Sequence, residues 1–206
     1  MNKCKHLHPD PKYVPIQLSD TRFFRLIRGR RVTKKNVHDH PGDVPVISGH
    51  GEAKSYLGFV SEAWLRKQGI TIYAAPLITV NANGSVGDVF LRTEPRYVIH
   101  DDVIGIDVVS GDIDPLYAVY AIRESVAKAR FRWDAKLYLK RLRPLTIRIP
   151  VDQNRAFDVQ QQQALATQYE RLETLKAAIQ TLAEDLEDKF ITVDFSVKPS
   201  AAGKSR

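Results

Sequence analysis

Asp43 followed by Glu52-Ala53-Lys54 has the outline of a nuclease site, in which two carboxylates hold Mg²⁺ and a lysine supports the attacking water. That chemistry needs the Glu and the Lys to project from one face of a strand. Here they follow Gly49-His50-Gly51, which reads as a loop. The run Gly49 to Ser55, GHGEAKS, has the composition of a phosphate-binding loop, but Ser48 and Ala53 stand where the motif requires glycine. Gly203-Lys204-Ser205 has no upstream glycine at the required position and no helix after it. His38-Asp39-His40 carries metal-ligand chemistry, yet beside Pro41-Gly42 it reads as a polar turn. Cys4, His6 and His8 have no second ligand pair at zinc-finger spacing. The chain also has no Asn-Pro-Pro-Tyr-like motif for amino-group methylation and no Gly-rich cofactor loop. The expectation is a chain with no catalytic or metal-ligating residues, which catalyses nothing alone.

The elements that would position any site form an α+β pattern. Short apolar runs split by Gly, Pro and Asn predict strands at Arg22 to Ile27, Val44 to Ser48, Leu77 to Asn81, Asp88 to Arg92 and Val103 to Val109. Ser61 to Gly69 reads as a short helix or a loop. Asp114-Pro115 reads as an N-cap followed by proline at the first helical position. It opens a helix to about Ala129, with Leu116, Val119, Ile122 and Val126 on one side. Ile147 to Val151 is a last short apolar segment. Residues 1–16, with three prolines and no periodicity, read as a flexible lead-in. The expected division is then a body over 17–151, a long helix over 152–192 and a flexible tail over 193–206.

That helix, Asp158 to Lys189, is free of Pro and Gly and rich in Ala, Leu, Gln and Glu. Leu165, Leu172, Ile179 and Leu186 recur every seven residues, with Leu175 and Leu182 between them, as in a coiled-coil seam. Its length, roughly 45 Å at 1.5 Å per residue, exceeds what a compact domain needs. Such a seam calls for a partner helix.

The net charge of +7 favours a polyanionic partner without naming one. Arg22, Arg25, Arg28, Arg30, Arg31, Lys34 and Lys35 form one basic stretch, and residues 123–148 form a second, whereas the end of the long helix is acidic. This layout suggests a body that meets the polyanion and a helix that meets protein. One cysteine suits a reducing cytoplasm. No apolar run approaches the ~20 residues that span a bilayer, so no membrane role is expected.

Taken in order, FRLIRGRRVTKKN, PGDVPVISGHGEAKSYLGFV, PLITVNANGSVGDVFLR, IDPLYAVYAI, RWDAKLYLKRLRPLTIRIP and FDVQQQQALATQYERLETLKAAI resemble the specificity subunit of type I restriction–modification systems. The likeness runs from about Phe23 to Lys189. The family's usual Glu-Gln at the helix start is replaced by Gln160 to Gln163. A full-length member carries two target recognition domains and two helices packed as an antiparallel pair, whereas this chain has one of each. The resemblance implies a mixed α/β target recognition domain followed by a coiled-coil helix. It implies reading of double-stranded DNA without catalysis, and pairing with a second copy or a second recognition domain. A modification (methyltransferase) subunit would supply adenine methylation from S-adenosylmethionine. A restriction subunit, where present, would bring ATP and Mg²⁺. No cofactor is expected in this chain itself.

Sequence reading of DNA needs loop side chains that reach base edges, backed by cations on phosphates. The base-reading candidates are Lys34, Lys35, Asn36, Ser48, His50, Lys54, Asn81, Asn83 and Ser85. The phosphate candidates are Arg132, Lys136, Lys140 and Arg141. Asn83-Gly84 also reads as a hairpin turn needing positive φ, and Phe131, Trp133 and Tyr138 as core anchors. Two other readings stay open: a stand-alone Mg²⁺-dependent nuclease, and a coiled-coil assembly or adaptor protein without specific DNA binding.

Overall fold

The computed structural model describes residues 12–51, 54–131 and 137–191, the last five by backbone alone. In chain order the elements are β1 (Lys12–Gln17), β2 (Phe24–Arg28), α1 (Lys34–Asp39), β3 (Pro41–Ile47), β4 (Tyr56–Val60), α2 (Glu62–Lys67) and β5 (Leu77–Asn81). There follow β6 (Val89–Arg92), β7 (Val98–Ile99), β8 (Val103–Val108), α3 (Pro115–Lys128), α4 (Leu139–Leu142), β9 (Thr146–Val151) and α5 (Val159–Ile191). The chain divides into two units, and the break falls between Ala166 and Thr167, inside α5.

Strand β5, LITVN, is buried along its whole length because it lies inside an antiparallel sheet of order β2-β8-β5-β6. Its register sets Asn81 opposite Val103 and Val80 opposite Val89. A second sheet has the order β4-β3-β7, with β3 and β7 parallel, and a third pairs β1 with β9. Helix α3 begins where the sequence signals it: Asp114 Oδ1 accepts the Tyr117 N–H at 2.8 Å, with Pro115 behind it. Its inner face of Tyr117, Ala118, Val119, Ala121, Ile122 and Val126 joins Ile78, Val80, Ile104 and Ile106 in the main core.

The five strands expected from the sequence are all present, with ends shifted by up to three residues. Four readings need correction. The lead-in does not extend to residue 16, because 12–17 form β1, hydrogen-bonded to β9 from Lys12 opposite Val151 to Gln17 opposite Thr146. Pro15 is tolerated there because an edge position asks nothing of its missing N–H. Lys34, Lys35 and Asn36 are helical, not a loop. Thr33 caps α1 and the Asn36 side chain answers it in a capping box, its Oδ1 accepting the Thr33 N–H at 2.9 Å.

The body does not end at 151, because the first turns of α5 belong to the first unit. Gln162 is fully buried, its Oε1 accepting the Asp114 N–H at 2.9 Å and its Nε2 donating to the Asp112 carbonyl at 2.9 Å. Leu165 packs half-buried on the main core and so is not part of a free seam. The other seam residues, Leu172, Leu175, Ile179, Leu182 and Leu186, are 51–66% exposed. Asp158 caps α5 as expected, Oδ1 accepting the Gln161 N–H at 2.9 Å. Among the described residues, no helix is long and apolar enough to cross a membrane.

Gln162→Leu keeps the volume but strands the Asp114 N–H and the Asp112 carbonyl. It is expected to lower the unfolding free energy by about 2 kcal/mol, read by chemical denaturation.

Candidate nucleic-acid interface

Four segments distant in sequence are joined around the turn His100-Asp101-Asp102. The His100 N–H donates to the Ile47 carbonyl at 2.9 Å, which fixes the end of β3 and the loop after it. The Asp102 carbonyl accepts the N–H groups of Ala82 and Asn83 at 2.7 and 3.3 Å, which fixes the β5–β6 loop. Arg30 N–H donates to the Ile99 carbonyl at 2.9 Å, and Leu137 N–H to the Ala82 carbonyl at 2.8 Å. These bonds bring in the segments after β2 and before α4.

Glycine makes the joints possible. A Cβ on Gly29 would lie 1.9 Å from the His100 carbonyl oxygen, and one on Gly84 would lie 2.2 Å from that of Gly49. Gly84 sits at φ +73° in the connection between β5 and β6. The expectation of positive φ at Asn83-Gly84 therefore holds for the glycine, within a longer loop than a two-residue hairpin.

The predicted base readers divide by exposure. His50, Lys54 and Asn83 are exposed and Ser85 is half-buried, with the loops of His50, Asn83 and Ser85 tied together by the Ser85 N–H on the Gly49 carbonyl, 3.0 Å. Ser48 and Asn81 are buried, so neither side chain can reach a base. Ser48 Oγ donates to the Ser55 carbonyl at 3.2 Å, and Asn81 Nδ2 to the His50 carbonyl at 2.8 Å. Both hold the 49–51 loop in place. Asn83 Nδ2 also donates to Asp102 Oδ1 at 3.3 Å. Lys34 and Lys35 are exposed on α1, which packs through Val37 against Gly58 of β4, and Lys35 is paired with Asp39. Asn36 is committed to its cap.

Of the phosphate candidates, Arg132 and Lys136 lie outside the described residues, as does Trp133. Lys140 is exposed, and the Arg141 guanidinium stacks 4.7 Å from the Phe131 ring. Phe131 rests on the core as expected. Tyr138 does not: it is 54% exposed.

Two neighbouring cavities open beside the turn. One, of about 510 Å³, is lined by Arg28, Asp101, Tyr138, Leu139 and Lys140 among others. The second, of about 450 Å³, is lined by Arg28, Gly29, Arg30, Arg31 and Asp101. The sequence reading passed over Arg28, Arg30, Arg31 and Asp101 as site residues. The signal present was Arg-Gly-Arg-Arg, a glycine inside the densest part of the first basic stretch. Desolvation raises the pKa of Asp88, at the foot of the β5–β6 loop, while Arg123 pulls it the other way.

The metal and nuclease constellations come apart. His40 stacks on Trp64 at 5.1 Å and Asp39 is paired with Lys35, so the 38–40 run is not an open ligand set. Cys4, His6, His8 and Glu52 lie outside the described residues. Asp43 is paired with Arg96, which also bonds Glu62 at 2.8 Å. Lys54 lies in the loop joining β3 to β4, on the order of 15 Å along the strand from Asp43. One His/Asp group of metal-ligating type remains among the described residues, His100-Asp101-Asp102. Its Nδ1 lies 3.1 Å from an oxygen of each aspartate, while the other Asp102 oxygen takes Asn83.

The family described as the type I restriction modification DNA specificity domain matches residues 16–187. The chain belongs to that family. No curated protein sequence matches it. Among solved structures, it is similar to the S subunit of a type I restriction-modification system from M. genitalium, at 18% identity and TM-score 0.57, covering 90% of this chain and 46% of that one. A structure described as showing complex assembly and conformational transition of the type I R-M system matches at 11% identity and TM-score 0.64, covering 88% and 44%. The HsdS subunit from Thermoanaerobacter tengcongensis matches at 10% identity and TM-score 0.59, covering 85% and 42%. The fold is therefore that of these subunits, and the chain spans less than half their length.

Gly84→Ala places a methyl against the Gly49 carbonyl at a φ that L-residues avoid. The expected outcome is a loss of about 2 kcal/mol or more, with faster amide exchange in both joined loops.

Proposed function

We propose that this chain is a DNA-reading half-subunit that directs an adenine methyltransferase to a target site. The observation that carries the reading is the convergence of His50, Asn83 and Ser85 beside a groove edged by Arg28, Arg30, Arg31 and Lys140, in a chain of this family. Phosphates would lie along the cations, which fix register, while the loop tips meet base edges. The chemistry belongs to the partner, with S-adenosylmethionine bound there. ATP and Mg²⁺ enter only with a restriction subunit.

The exposed apolar seam supports the other half of the proposal. Five large aliphatic side chains from Leu172 to Leu186 stand in water at a/d spacing. A second copy, packed antiparallel, covers them and sets two recognition domains a fixed distance apart, in place of the second domain of a chain twice as long. The target is then a two-part site, symmetric in a homodimer. The seam without DNA reading describes an adaptor protein instead.

Methylation-site sequencing of cells with and without this chain is expected to show one two-part adenine motif that disappears with the chain. Unchanged methylation rejects the proposal. Lys140→Ala should weaken binding to all duplexes alike and lower the slope of log affinity against log salt by about 1. Ile179→Asp is expected to turn a dimer into a monomer by light scattering at micromolar concentration.

A further inference from the structure

Among the described residues lining the two cavities, every charged side chain is cationic except one. Asp101 lines both cavities beside Arg28 and is the single acidic residue among the described residues lining either. Its side chain is 24% exposed, so it is open to the groove. A carboxylate there repels phosphate and opposes the attraction that Arg28, Arg30, Arg31 and Lys140 provide. It is also poorly served within the protein. Asp101 Oδ1 is buried and takes no hydrogen bond, so the oxygen left to face the groove is Oδ2. His100 Nδ1, 3.1 Å from Asp101 Oδ1, accepts the Asp102 N–H at 3.3 Å. The turn cannot easily swing away to relieve this. It is fixed by the bonds from His100 to Ile47 and from Arg30 to Ile99, and by Gly29 against the His100 carbonyl.

An acceptor held rigidly in a cationic DNA groove calls for a donor from the DNA. Phosphates and sugar ether oxygens offer none. In the major groove guanine shows two acceptors, and thymine an acceptor and a methyl group. Cytosine N4 and adenine N6 show amino donors, and adenine N7 adds an acceptor that faces a carboxylate unfavourably. We propose that Asp101 is a specificity-determining residue that accepts a hydrogen bond from the exocyclic amino group of a target base, cytosine being the better match. The inference rests on the DNA-reading function proposed above.

Selection of bound duplexes from a random library by the full chain, followed by competition binding, tests it. The wild-type protein is expected to require an amino-bearing base at one position. Replacing that base with the analogue lacking the amine should weaken binding about tenfold, consistent with one lost base contact. The analogue is pyrimidin-2-one for cytosine and purine for adenine, so the two sources are told apart. Asp101→Ala, which removes both the charge and the acceptor, should lose the requirement at that position and keep it elsewhere. The assignment is overturned if no analogue weakens binding, a result that needs no variant to fold. It is equally overturned if Asp101→Ala tightens binding to every duplex and selects the same sequence, because Asp101 then only moderates the groove's charge. A wild-type chain that selects no sequence overturns the DNA-reading function beneath it.

Discussion

Main-chain hydrogen bonds between segments with no sequence neighbourhood in common hold the candidate interface together. Ile47, Ile99, Ala82 and Asp102 each offer a carbonyl to an N–H from another part of the chain. Each bond is ordinary in strength, worth about 1 kcal/mol net. Their effect is positional. They converge on the turn between β7 and β8, so the sheet containing β3 and β7 and the sheet containing β5 and β8 meet there. Without Gly29, Gly49 and Gly84 the backbones could not come close enough to bond.

The periodic parts of this architecture were legible in the sequence. β5 reads as a buried apolar run, α3 announces itself through Asp114-Pro115, and α5 shows a seven-residue repeat capped by Asp158. Failures cluster where a local signal had two physical meanings. Prolines at 11 and 15 suggested an unstructured start, but an edge strand accepts Pro15. Asn36 and the lysines before it looked like a polar loop, yet Thr33 and Asn36 form a reciprocal cap. Ser48 and Asn81 have side chains suited to base reading, but their burial spends them on the 49–51 loop. Nothing local distinguishes a polar residue that faces solvent from one that holds a loop, because burial is decided by chain segments far away.

The same limit explains which site residues escaped notice. Arg28, Arg30 and Arg31 were visible as charge, but only the pairing of β2 with β8 sets them beside the turn that carries Asp101. The long helix shows the converse. Its repeat was clear, but the repeat alone could not show that Leu165 and Gln162 serve the body while Leu172 onward remains exposed. A single seven-residue pattern therefore covers two settings, packing on the body in its first two turns and an exposed apolar stripe beyond.

Most joints at the interface are made by backbone atoms, and this separates two kinds of position. A bond from one peptide group to another is indifferent to the side chain attached to either residue. His50 and Ser85 can therefore be exchanged for other residues with the frame left standing, while Gly29, Gly49 and Gly84 cannot. A frame built this way lets its surface side chains change without first losing its shape, so new surfaces are reachable by single steps through variants that remain folded.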